Sequence, residues 1–154
     1  MQQDTTHGMN YALKKAKSIH AFLRGQAMHR KILVADSEQT SLSTLAAFLD
    51  RCGYHVSIST EGTNVVKLLN EENFDVTIID YALSCYGVSV VEIAKNQAVP
   101  AALIITTQPC DIDTERRIRS FGADYYFVKP IDIDTLAMVV TRCFRVHDQK
   151  MHHL

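Results

Sequence analysis

Residues 76–80 read Val-Thr-Ile-Ile-Asp, a short run of β-favouring residues that closes on a carboxylate. A strand covered on both faces has this nearly continuous apolar character rather than strict alternation. A similar run precedes it at Lys31-Ile32-Leu33-Val34-Ala35 and closes on Asp36. Another follows at Ala102-Leu103-Ile104-Ile105 and closes on Thr106. Two further strands are expected. One spans His55–Thr60, where Val56 and Ile58 alternate with polar residues, and the other spans Tyr125–Val128, closing on Lys129-Pro130.

Between these runs the period changes. Leu42, Leu45, Ala46 and Leu49 recur at helical spacing before a stop at Cys52-Gly53. Val65, Val66, Leu68 and Leu69 mark a short helix, and Val88–Lys95 and Thr114–Phe121 mark two more. Asp132 is placed to cap a last helix through Leu136, Val139, Val140 and Cys143. Strand and helix therefore alternate five times. The pattern predicts an α/β fold, a doubly wound five-stranded parallel sheet with helices on both faces. In such sheets the chemistry lies beyond the carboxyl ends of the strands. That places Asp36, Asp80, Thr106 and Lys129 on the functional edge.

The 154 residues, 47% hydrophobic and 21% charged, have the composition of an ordinary globular domain. No apolar run approaches the roughly 20 residues of a membrane-spanning helix, and no export signal precedes the first strand. The cysteines at 52, 85, 110 and 143 form no CxxC pair, so no zinc finger is expected, and free thiols in a reducing cytoplasm are. Cys52 and Cys143 fall at core helix positions, whereas Cys85 and Cys110 fall in loops on the functional edge. The seven histidines show no ligand spacing, and no GxGxxG or GxxxxGK is present for a dinucleotide or P-loop site. The net charge of −1 conceals an asymmetry. Residues 1–31 carry six Lys/Arg against Asp4, and residues 32–154 carry ten against sixteen acids. The expected organisation is a basic helical extension at 1–29, a domain at 30–148 and a polar tail at 149–154. In the extension Ala12, Ala16, Ile19, Phe22 and Leu23 share a face. That helix can dock on the domain or a second subunit, act as a basic tail or, least favoured, contact nucleic acid or an anionic membrane surface.

Acids ending strands one and three, a Thr ending strand four and Lys-Pro ending strand five resemble the receiver domain of bacterial two-component response regulators. Gly122-Ala123-Asp124 and Tyr126, three residues before Lys129, are also receiver-like. The resemblance covers about residues 30–146. It implies a flavodoxin-like receiver fold and a phosphoryl-transfer switch in a cytoplasmic phosphorelay. Asp80 would accept the phosphoryl group from a histidine kinase or phosphotransfer protein. Asp36, Asp80 and the backbone carbonyl of Ala82 would hold Mg2+. Thr106 and Lys129 would contact the phosphoryl oxygens, Thr106 and Tyr126 would form the switch, and Pro130 would follow a cis peptide bond. The physical logic stands independently, since a carboxylate attacking a phosphoryl group meets charge repulsion that a hard cation offsets.

Three positions depart from the family's pattern. Ser37 stands where a second acid is usual, so weak magnesium binding is expected. Leu83-Ser84 replaces the usual Met-Pro, and the segment from Asp80 to Gly87 is one residue short. Each site residue also has a structural reading: Asp36 as a helix cap, Asp80 as a turn acid, Thr106 as a packing hydroxyl with Thr107 competing for its register. The expectation is a single-domain response regulator. It would have no enzymatic role beyond self-phosphorylation and dephosphorylation, and it would act on a downstream protein with a possible homodimer through Arg116, Arg117 and Arg119. The alternative is a pseudo-receiver that scaffolds independently of phosphorylation. Nucleic-acid binding is not expected.

Overall fold

The protein is described here by a computed structural model over residues 30–97 and 101–151. The basic extension at 1–29 lies outside the described residues. Five parallel strands form the central sheet: β1 (Lys31–Ala35), β2 (His55–Ser59), β3 (Val76–Asp80), β6 (Ala102–Thr107) and β7 (Tyr125–Val128). Their order is β2-β1-β3-β6-β7. The central strand β3 is buried along its whole length, as its unbroken run of β-favouring residues requires.

Helices cover both faces. On one side α1 (Gln39–Arg51) and α5 (Ile133–Met151) pack Leu42, Leu49, Leu136 and Val140 against Ile32, Ile78 and Ile104. On the other, α2 (Gly62–Glu71), α3 (Val90–Lys95) and α4 (Ile112–Ser120) pack Val65, Val90, Val91 and Ile118 against Leu33, Ile79 and Ile105. Alternate residues of each strand feed the two cores, which fixes the register of the strand ends. Asp132 Oδ2 accepts from the Thr135 amide and caps α5.

Three local expectations are revised. Val88–Ser89 is not the start of a helix. It is strand β5, paired antiparallel with β4 (Ser84–Cys85), and α3 begins only at Val90. The turn between them places Tyr86 at φ 51° and Gly87 at φ 79°, the left-handed pair of a type I′ hairpin. Cys85 consequently lies buried in a strand, not in an open loop. At the other end, α5 runs through Met151, so residues 149–151 are helical rather than tail. Arg30 helps hold that last stretch, pairing with Asp148 and Asp75 while its guanidinium lies 5.2 Å from the Phe144 ring centroid.

Candidate functional site

The carboxyl ends of β1, β3, β6 and β7 bring Asp36, Asp80, Thr106 and Lys129 to one edge. Register does much of this work. Asp80 and Thr106 are direct partners in the β3–β6 ladder, which places Thr106 rather than Thr107 beside the acid. The ladder is prolonged by the Tyr81 amide donating to the Thr106 carbonyl at 2.8 Å. Thr107 turns elsewhere, and its hydroxyl donates to the Gln108 carbonyl.

Lys129 draws the two acids together. Its Nζ lies 2.6 Å from Asp80 Oδ2 and 2.7 Å from Asp36 Oδ2. The other oxygen of each carboxylate is held by backbone: Asp36 Oδ1 accepts from the Glu38 amide, and Asp80 Oδ1 from the Ala82 amide, both at 2.8 Å. Relative exposures of 5%, 3% and 8% for Asp36, Asp80 and Lys129 put this charge cluster out of bulk water. Two carboxylates and one ammonium leave a formal charge of −1, so the cluster keeps an attraction for a further cation. The peptide bond between Lys129 and Pro130 is cis.

The electrostatics follow from the burial. Desolvation pushes the Asp36 carboxyl above its ordinary value; hydrogen bonds from Lys129 and Glu38 oppose the shift, and the Asp80 charge adds to it. Burial alone would lower the Lys129 ammonium, but its hydrogen bonds to Asp36 and Asp80 outweigh that and raise it. Lys129 is therefore a fixed cation at neutral pH.

Around this centre the remaining residues take distinct positions. Ser37 is exposed at the end of β1, and the neighbouring Glu38 side chain accepts from the Ser41 hydroxyl, at the start of α1. Among the described residues no third His, Cys, Asp or Glu joins a metal-binding group. The hard oxygens of Asp36 and Asp80 are still the donor type that a divalent cation such as Mg2+ takes, usually through one or two carboxylates with water completing the shell. Tyr126 is half-buried on the α4 side of the sheet, packed against the second core. A groove of about 600 Å3 opens beside the cluster, lined by Asp36, Leu45, Pro109, Lys129, Ile131 and Ile133 among others.

The hairpin and its seat on α2 have no counterpart in the sequence reading. A Cβ on Gly62 would fall 2.0 Å from the Ser84 carbonyl oxygen, so the hairpin backbone rests directly on the first turn of α2. Close backbone approach of this kind is a recognised use of glycine, but a lone Gly before a helical stripe does not announce it.

A parallel sheet in this order, with two acids, a hydroxyl and a lysine at its carboxyl edge, defines a module of the receiver type. A family model described as the response regulator receiver domain matches residues 32–141. The chain belongs to that family, the receiver domains of two-component systems. ZraR, a transcriptional regulatory protein of Escherichia coli K12, is 29% identical over 108 residues, covering 68% of this chain and 24% of its own length. The BeF3-activated receiver domain of DrrB superposes with a TM-score of 0.66 at 25% identity, covering 77% of this chain and 99% of that one. A response regulator of Burkholderia pseudomallei, solved with a phosphorylated aspartic acid and calcium, gives a TM-score of 0.61 at 26% identity, covering 79% of this chain and 72% of that one. The chain spans about a quarter of the length of several curated relatives, at 27%, 24% and 25% for three of them, and 54% of the response regulator ArlR of Staphylococcus saprophyticus. Among the described residues no helix is long and apolar enough to cross a membrane.

Proposed function

We propose that Asp80 is a phosphoacceptor and that the chain signals through protein contacts as a response regulator in a two-component or phosphorelay pathway. One observation carries the reading: Asp80 is buried at the end of β3, bridged through Lys129 to Asp36, with Thr106 as its ladder partner. A buried carboxylate with one fixed cation and a neighbouring hydroxyl suits transient phosphoryl attachment better than it suits a passive turn.

In this reading an Asp80 carboxylate oxygen attacks the phosphorus of a phosphohistidine on a histidine kinase or phosphotransfer protein. A P–O bond forms, the P–N bond breaks, and the histidine nitrogen leaves with the electron pair. Lys129 stays within reach of both carboxylates and offsets the charge gathering on the phosphoryl oxygens. Thr106 donates its hydroxyl to the phosphoryl once attached, and Tyr126 follows into the space that Thr106 vacates. Mg2+ held by Asp36, Asp80 and the Ala82 carbonyl would supply Lewis-acid neutralisation of that charge. The groove beside Lys129 offers a protein donor an apolar seat flanking the acceptor. The chain's output is then contact with a downstream protein or a second copy, with no catalytic turnover beyond its own phosphorylation and dephosphorylation.

Ser37 favours a second reading, a scaffold indifferent to phosphorylation, because it leaves only two carboxylates for the cation. Intact-mass measurement after incubation with a small phosphodonor and magnesium separates the two. An adduct of one phosphoryl group that is lost in Asp80→Asn supports the acceptor reading. Absence of any adduct on the wild-type chain overturns it in favour of the scaffold.

A further inference from the structure

Tyr126 is held along α4 at two points. The guanidinium carbon of Arg119 stands 4.9 Å from the Tyr126 ring centroid, within the range at which a planar cation is attracted to a ring face. Glu115 braces that guanidinium one helical turn away, its Oε1 accepting from Nε and Nη2 of Arg119 at 2.8 Å each. At the far end of the ring, the Tyr126 hydroxyl lies 4.0 Å from Cys110 Sγ in the loop that leads into α4. Burial followed by this Cys110 contact pushes the Tyr126 phenol up, so the hydroxyl stays protonated at neutral pH. The ring therefore lies between the last turns of α4 and the loop preceding it.

This arrangement is not needed to bury the ring. Packing against the second core does that without Arg119, which is mostly solvent-exposed. Arg116, three residues earlier on the same helix, pairs instead with Asp113. A guanidinium over the ring, fixed by a carboxylate on its own helix, adds a defined attraction to one ring position only.

We propose that Arg119, braced by Glu115, is a positioning residue that latches Tyr126 against α4 and so sets how readily the ring leaves for the space beside Thr106. The inference rests on Thr106 and Tyr126 forming the switch pair. A ligand that moves the ring must break the Arg119 contact, and the contact therefore biases the protein toward its resting state. At an exposed site such a contact shifts the two-state balance roughly two- to five-fold.

NMR of the full chain, titrated with beryllofluoride and magnesium, tests the latch. In the free wild type the Arg119 Nε–H proton should be displaced by the ring current relative to Tyr126→Leu, and the displacement should decay as beryllofluoride saturates. Arg119→Ala should bind beryllofluoride roughly two- to five-fold more tightly than wild type. Arg119→Lys should fall between them, because an ammonium lacks the planar stack. Lys67→Ala, which breaks an exposed pair with Glu71 on α2, should leave the affinity unchanged. If Thr106 responds to beryllofluoride while Arg119→Ala binds with wild-type affinity, the latch alone is overturned. If Thr106 does not respond in the wild type, the switch reading and the latch fall together.

Discussion

The ammonium of Lys129 lies 2.6 Å from Asp80 Oδ2, a pair formed across 49 residues between two buried side chains. The same nitrogen also holds Asp36, so one cation screens two acids that would otherwise repel each other at close range. The pairing gives the resting site a structural role alongside its proposed chemical one. It lets β1 and β3 end side by side on carboxylates.

Lys129→Met should therefore be costly in a pH-dependent way. Removing the cation leaves two buried carboxylates facing each other, and stripping one partner from a buried ion pair typically costs about 3–5 kcal/mol. Part of the loss should return on acidification, because one carboxylate can then carry a proton. Urea denaturation at about pH 8 and about pH 5 reads both effects. Equal losses at the two pH values would show that the carboxylates do not depend on Lys129.

The Asp36 carboxyl gives a second pH signature. Its folded value is raised above the ordinary 3.8, so the folded state holds that proton more tightly than the unfolded chain does. The associated stability is fully present below 3.8 and is lost as pH rises through the folded value. Lys129, raised above 10.5, contributes stability that disappears only as pH climbs through its own elevated value. Asp36→Asn keeps a side-chain oxygen for the Glu38 amide but cannot titrate. Relative to wild type, the variant should gain stability as pH rises from 3.8 through the raised folded value of Asp36. A constant difference in denaturation midpoint across that window would remove Asp36 as the source.

The strand ends were legible because a strand buried on both faces must be apolar until it reaches the edge. A polar residue that stops such a run is conspicuous, which is why Asp36, Asp80, Thr106 and Lys129 could be singled out. Their mutual geometry could not be read, since Lys129 meets Asp36 across 93 positions and spacing along the chain carries no distances. The hairpin was hidden for a different reason. A type I′ turn normally advertises itself by Asn-Gly or Asp-Gly. Here the first left-handed position is Tyr86, 94% exposed, and Val88 runs straight into the helical stripe of Val90 and Val91. The Arg119 contact was equally silent, because the arginines on α4 read as a candidate dimer face and helical spacing does not show which of them meets an aromatic ring.

Gly62→Ala tests whether the seat of that hairpin matters to the site. The methyl group would meet the Ser84 carbonyl at 2.0 Å and Val90 Cγ2 at 3.1 Å, so the hairpin has to move. Overpacking of this kind costs about 1–3 kcal/mol. Because the hairpin continues the chain from Asp80 through Ala82, NMR shifts should change across residues 80–89 while those of β2 stay in place. Changes restricted to α2 would show that the hairpin is seated independently of the acceptor strand.

Ser37→Asp tests how far the acid at the end of β1 limits the cation. Ser37 follows Asp36 directly and is exposed, so a carboxylate there can be introduced without burying a new charge. Magnesium affinity follows the number and charge of oxygen ligands. One added carboxylate should tighten binding about ten-fold or more, on the order of 1–2 kcal/mol. The chain contains no Trp to quench, so calorimetry or NMR titration must supply the constants. Ser37→Asn, with the same shape and no charge, separates ligand charge from a mere change of loop conformation and should stay near the wild-type value. If the wild type already binds magnesium as tightly as Ser37→Asp, position 37 does not face the cation, and the two carboxylates bridged by Lys129 suffice to hold it.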